Sequence, residues 1–273
     1  MPEEVLAIEA GLVLPDEDDI KTMSVDDLNS FLNAAVATLK EETDQLPSEV
    51  IRNFIVSCLK CMENYVNEEI VLNVVALSWP ADIKTVAQRI FQTYNIGEEY
   101  IRFSFMALCL TGQIAGSPWI TSPETFFQLI ASLSAGRLRI VTENPEAIDK
   151  EMLAVCLRLL ELCVKCIEDE SCGVSDEIAT AVGRSSQEAA SFCCEYLTAC
   201  AEQKVELDME IQLALYRYIC LFISIGGAQI INKEFLKGSV PILISVREYA
   251  LSQDDDDTAN LIDLEDLQRI LEQ

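Results

Sequence analysis

The residues whose types and spacing could do chemistry are few. Cys58-Leu59-Lys60-Cys61 and Cys163-Val164-Lys165-Cys166 are two C-x-x-C pairs, with Cys172 near the second. Four thiolates in a tetrahedron would bind zinc, and one such pair at a helix start would serve thiol–disulfide exchange. Asp254-Asp255-Asp256-Asp257 is a carboxylate run of the kind that holds magnesium against a diphosphate, and Asp16-Glu17-Asp18-Asp19 is a second acidic cluster. Against these stands the absence of histidine from all 273 residues. That removes Ser-His and Cys-His nucleophile pairs, imidazole acid–base steps and every zinc site that needs an imidazole ligand. No G-x-x-x-x-G-K-[ST], G-x-G-x-x-G or G-x-S-x-G stretch occurs.

The elements around these residues favour a structural reading. Both C-x-x-C pairs lie inside uninterrupted helical stripes, far apart in the chain, where zinc knuckles would need turns. Free cysteine is a small buried hydrophobe, so the pairs, Cys193-Cys194 and Cys200 are expected in the core. No metal, cofactor or catalytic residue is assigned. The aspartate run resembles the magnesium motif of all-helical isoprenoid synthases. That resemblance implies an alternative, a magnesium-dependent enzyme acting on a phosphorylated or diphosphate substrate. It also demands a second cluster facing the first and basic residues for the diphosphate. An acidic run is more simply a solvated linker.

Composition sets the class. Half the residues are apolar and only 7% aromatic, with 10 glycines and 8 prolines, which suits helices better than sheets. The formal net charge is −27. A polyanion repels phosphate, which argues against direct nucleic-acid binding and against an anionic membrane surface, and attracts basic partners. Lys233 and Lys237, like Arg137 and Arg139, are basic foci too sparse for a nucleic-acid footprint. Eleven cysteines in a chain of this size, opening on the acidic Met1-Pro2-Glu3-Glu4, fit a reducing cytoplasm or nucleus rather than a secreted disulfide scaffold. The most apolar window, Ile211 to Ile231, is broken by Gln212, Arg217 and Gly226-Gly227 and reads as a buried helix followed by a break, not a membrane span.

Three regions follow. Residues 1–22 carry seven acidic residues and one lysine, with an apolar patch at Val5, Leu6, Ile8, Leu12, Val13 and Leu14, and are expected to be disordered. Residues 23–252 form the helical body. Residues 253–273, with eight acidic residues and one arginine, are expected as a linker and an amphipathic helix. Within the body, Ser24 and Asp27 form a capping-box-like start ahead of Leu28, Phe31, Leu32, Ala35 and Leu39. Pro47, Trp79-Pro80, Glu98, Ser122-Pro123 and Pro145 mark restarts. Ser185 to Glu188 reads as another capping box, and separate helices are expected near Ala228–Leu236 and Val240–Ser252. Met152–Ile167 and Ile211–Ile225 are apolar nearly all round, so neighbours should cover them on several sides.

Paired, the restarts recur about every 40 residues, near the armadillo/HEAT period. Tyr218 to Ala250, with its Gly-Gly break, short helix and longer apolar helix, resembles an armadillo-type unit. The resemblance implies an all-α short solenoid or large helical array, in a class of protein-binding scaffolds that usually lack catalysis. The expected function is a scaffold or adaptor, or an obligate subunit, favouring a basic protein partner or an apolar subunit interface. Candidate partner-binding residues are the loop tryptophans Trp79 and Trp119, the acidic Asp254, Asp255, Asp256 and Asp257, and the stripe Leu261, Leu264, Leu267 and Ile270. Leu261-Ile262-Asp263-Leu264-Glu265 also resembles a clathrin-box peptide. The same stripe suits a groove-binding peptide, an export signal, or a last helix folding back on the body.

Overall fold

A computed structural model describes residues 14–42, 48–67, 77–93, 97–143, 147–263, 265 and 269. The apolar patch from Val5 to Val13, the restarts at Pro47 and Pro145, and Leu264, Leu267, Ile270 and Leu271 lie outside the described residues. The described residues are helical with no strand, as expected. None of their helices is long and apolar enough to cross a membrane.

The chain divides into two compact units, Met1–Trp119 and Ile120–Gln273. In the first, α1 (Glu17–Thr22) opens on a capping box between Asp16 and Asp19, inside the acidic cluster expected to be disordered, and it buries Ile20. α2 (Val25–Glu42) starts where Ser24 Oγ accepts from the Asp27 N–H at 3.2 Å, the capping pair read from sequence. α3 (Ser48–Asn67), α4 (Trp79–Gln92) and α5 (Glu98–Ala115) follow. α2 packs on α3 and α4, and α5 packs on the same two helices. Leu28, Leu32, Cys58, Cys61, Ile83 and Leu108 are among the buried residues of this unit. The unit ends at Trp119, within the short α6 (Ser117–Thr121).

The second unit holds α7 (Glu124–Thr142), α8 (Lys150–Glu168), α9 (Asp176–Gln203), α10 (Met209–Ser224), α11 (Lys233–Ser252) and α12 (Asp256–Ala259), with 3-10 turns at Glu170–Cys172 and Gly227–Gln229. The most extensive packing is of α7 on α9 and on α8; α9 also packs on α11, and α8 on α10. α10, expected to be apolar nearly all round, buries residues on several faces, among them Leu215, Tyr218, Ile219 and Cys220; α8, expected likewise, buries Leu157, Leu159 and Leu160 but keeps an exposed face at Glu151, Ala154, Arg158 and Lys165.

Several local expectations are corrected. Ser185 to Glu188 starts no helix: α9 runs unbroken from Asp176, Ser185 Oγ bonds back to the Ala181 carbonyl at 3.5 Å, and Ser186 is buried under the Tyr218 hydroxyl, which donates to its carbonyl at 3.0 Å. The serine-rich stretch stays helical because its neighbours bury it, and tertiary packing overrides the cap signal. The helices expected near Ala228–Leu236 and Val240–Ser252 are one helix, α11, with Pro241 inside. Proline removes one ladder donor. The helix continues through it, with Leu236, Ser239, Val240 and Leu243 buried on either side of the proline. The tryptophans lie in no loop: Trp79 begins α4 and Trp119 sits within α6.

Candidate functional site

The two tryptophans form one junction in the first unit. Trp79 is completely buried, with Nε1 donating to Asn29 Oδ1 at 3.1 Å. Ser78 makes no side-chain cap for α4. Asn33 of α2 caps it instead, its Oδ1 accepting from the Trp79 N–H at 3.0 Å and from Ser78 Oγ at 2.8 Å. Trp119 is half-buried, and its Nε1 donates to Pro80 O at 3.0 Å, tying α6 to the first turn of α4. Lys84, one turn further on, donates to the Trp119 carbonyl and lies over its ring. Burial pulls the Lys84 pKa down to about 8. Trp79 is therefore a core residue with a satisfied indole, while Trp119 keeps one partly open face.

The aspartate run is a stop and a start rather than a linker. Asp254 takes a left-handed conformation with φ 57°. Its N–H reaches Leu251 O at 3.3 Å and the Asp255 N–H reaches Ala250 O at 3.0 Å, the paired bonds of a Schellman stop for α11. Asp255 then caps α12, accepting from the Thr258 N–H at 3.1 Å, and bonds to Thr258 hold its carboxylate below the usual range. Asp254, Asp255 and Asp256 are exposed, and the Asp257 side chain lies outside the described set. Tyr249 and Leu251, at the end of α11, are 37% and 41% exposed. Two positions apart on a helix, they leave it in different directions, so the acidic turn has an exposed apolar residue on either side. Sequence reasoning missed both. The signal was there: the buried stripe Leu243, Val246 and Ala250 leaves positions 249 and 251 off the core face.

α12 and the residues just after it pack within the second unit. Thr258, Ala259 and Ile262 are buried, and the Tyr216 hydroxyl donates to Ala259 O at 3.4 Å. Leu261 is half-buried. Of the expected stripe, Leu261 alone lies among the described residues. A groove of about 830 Å³ opens here, between the end of α10, the Gly226–Gly227 break, the first turns of α11 and residues Asn260–Asp263. Gly226 makes the break possible, since its φ of 90° suits glycine alone among common residues. Lys233, Lys237 and Arg269 line the groove with Asp263 as its carboxylate.

The cysteines pack as core. Ten of the eleven are buried, and Cys172 is half-buried. Burial pushes the Cys61 thiol up to about 12 and the Cys58, Cys163 and Cys193 thiols higher. Such thiols are held protonated, the form that neither attacks nor ligates. Among the described residues no group of three or more cysteine, aspartate or glutamate side chains is arranged to hold a metal ion. In comparisons with family models, curated proteins and solved structures, nothing matches this chain.

Proposed function

We propose that this chain is a non-catalytic scaffold or adaptor of armadillo/HEAT-like architecture, working in the cytoplasm or nucleus, that binds a basic protein partner. The observation that carries the reading is the exposed turn Asp254–Asp256 flanked by exposed Tyr249 and Leu251. An exposed apolar residue beside an acidic turn gives a partner both contact area and charge, and the charge sets partner choice and encounter rate more than raw affinity. The net charge of −27 extends the same field over the molecule. The solenoid reading draws support from the order of packing. In each unit helices pack on the helix next but one along the chain: α1 on α3, α2 on α4, α3 on α5, α7 on α9, α8 on α10 and α9 on α11. Stacked helical hairpins give this pattern, whereas an up-and-down four-helix bundle pairs its first helix with its last.

The test is affinity capture from cell extract on the tagged chain and on a Tyr249→Ser, Leu251→Ser variant, at low and moderate salt, with mass spectrometry of the bound proteins. A stoichiometric basic partner that is released by salt and lost from the variant supports the reading. A salt-resistant partner lost from the variant favours an obligate subunit with an apolar interface. Identical capture by both proteins, or none by either, argues against this surface.

A further inference from the structure

We propose that the groove at the start of α11 docks an acidic peptide segment with apolar anchors, supplied by a partner protein. This inference stands apart from the acidic-turn reading, because it concerns a different surface of opposite charge. The groove has an apolar floor of Ile223, Leu236 and Ile262, each under 10% exposed. Its wall carries Lys233 and Lys237, in a chain whose 46 acidic residues outnumber its 19 basic ones. Among the described residues neither ammonium forms a salt bridge or hydrogen bond.

Their placement opposes local stability. Four positions apart on α11, the two lysines are neighbours on one helix face, and like charges at that spacing repel. Lys233 is also the first residue of the helix, where the macrodipole favours anions, and Glu234 beside it is the acidic residue of that turn. A sequence so rich in carboxylates that sets two cations there, over an apolar floor, violates two local rules at one spot. Such conflicts concentrate at functional sites. An anionic segment would relieve both: its carboxylates would meet the two ammonium groups and the helix N-terminus, and its apolar side chains would cover Leu236 and Ile262. A cleft of this size falls within the range of ligand sites, and its lining mixes the apolar floor with polar and charged side chains. Charge complementarity selects an acidic occupant over the basic partner drawn to the rest of the surface.

The experiment selects from a phage-displayed library of random dodecapeptides on the full-length chain. Enriched peptides are then measured by fluorescence anisotropy on the wild type, on K233E/K237E, and on R184E/K204E, which changes the net charge equally at exposed sites elsewhere in the same unit. Circular dichroism and thermal melts check that each variant folds. The proposal expects acidic sequences with at least two apolar residues, affinity lowered by at least about tenfold in K233E/K237E, and near-wild-type affinity in R184E/K204E. Enrichment of basic peptides, equal loss in both variants, binding unchanged in K233E/K237E, or no enrichment at all would overturn it. Should K233E/K237E fail to fold, K233Q/K237Q takes its place with the same expectation in direction.

Discussion

The Lys84 ammonium sits 4.4 Å from the centre of the Trp119 ring and donates to the Trp119 backbone carbonyl, while the Trp119 indole donates back to Pro80 on the same helix as Lys84. The two residues thus clamp α6 against the start of α4. The carbonyl and the ring face favour the charged amine, and burial opposes it, drawing the pKa down to about 8. The sign of the pH effect follows. Below the folded pKa the ammonium is charged in both states and its burial cost is fully present. As pH rises from about 8 toward the ordinary lysine value, the unfolded chain holds the proton that the folded chain has lost, so folding gains stability. Urea midpoints measured at pH 7.5 and pH 9.5 (~ two points either side of the transition) should rise for the wild type relative to Lys84→Met. An unchanged difference between the two proteins would show that Lys84 keeps its proton throughout this window.

Asn33 supplies α4 with a cap from another helix. Asn33→Ala removes the acceptor for the Trp79 N–H and for Ser78 Oγ. The expected loss is about 1 kcal/mol, the usual value of an N-cap, read as a lower urea midpoint with unchanged slope. Asn33→Asp, which keeps the acceptor, should retain most of the stability. Equal losses in both variants would assign the effect to packing rather than to the cap.

Gly238 lets α11 approach α9. A Cβ there would lie 2.6 Å from Thr198 Oγ1 and 2.8 Å from Thr198 Cγ2. Thr198 is a short, stiff side chain whose hydroxyl bonds the Cys194 and Phe235 carbonyls, so it yields little. Overpacking of this kind costs about 1–3 kcal/mol, against a helix-propensity gain of about 1 kcal/mol for replacing glycine. Gly238→Ala should therefore lower Tm, and adding Thr198→Ser should restore part of it. A double-mutant cycle with no coupling would remove the steric explanation.

Lys204 ends α9 in a left-handed conformation with φ 58°, its N–H on Ala201 O at 3.3 Å and the Val205 N–H on Cys200 O at 3.0 Å. A residue with a Cβ pays about 1 kcal/mol to sit there, and glycine does not. The greater freedom of glycine in the unfolded chain takes back part of the gain. Lys204→Gly should raise stability by about 0.5 kcal/mol, seen as a higher thermal midpoint, and Lys204→Val should lower it.

Much of the helical pattern was legible in the chain. The stripe from Leu28 to Leu39 behind the Ser24–Asp27 cap falls on α2 as read, because helix periodicity and capping are local properties. The same holds for the cysteines of α3 and α8, which spacing alone put inside helices. Where local signals competed with packing they misled: Ser185 and Pro241 look like boundaries and sit inside long helices, whose neighbouring residues on either side are buried against other helices.

The sequence by itself determined the helical class, the charge and the absence of imidazole chemistry, because these follow from composition and from periods of a few residues. Tertiary structure alone decided that Trp79 is core while Tyr249 and Leu251 face solvent, that the aspartate run stops one helix and starts another, and that Lys233 and Lys237 border a groove with Ile262. Each of those depends on which distant helix lies alongside, and one-dimensional spacing carries no record of it.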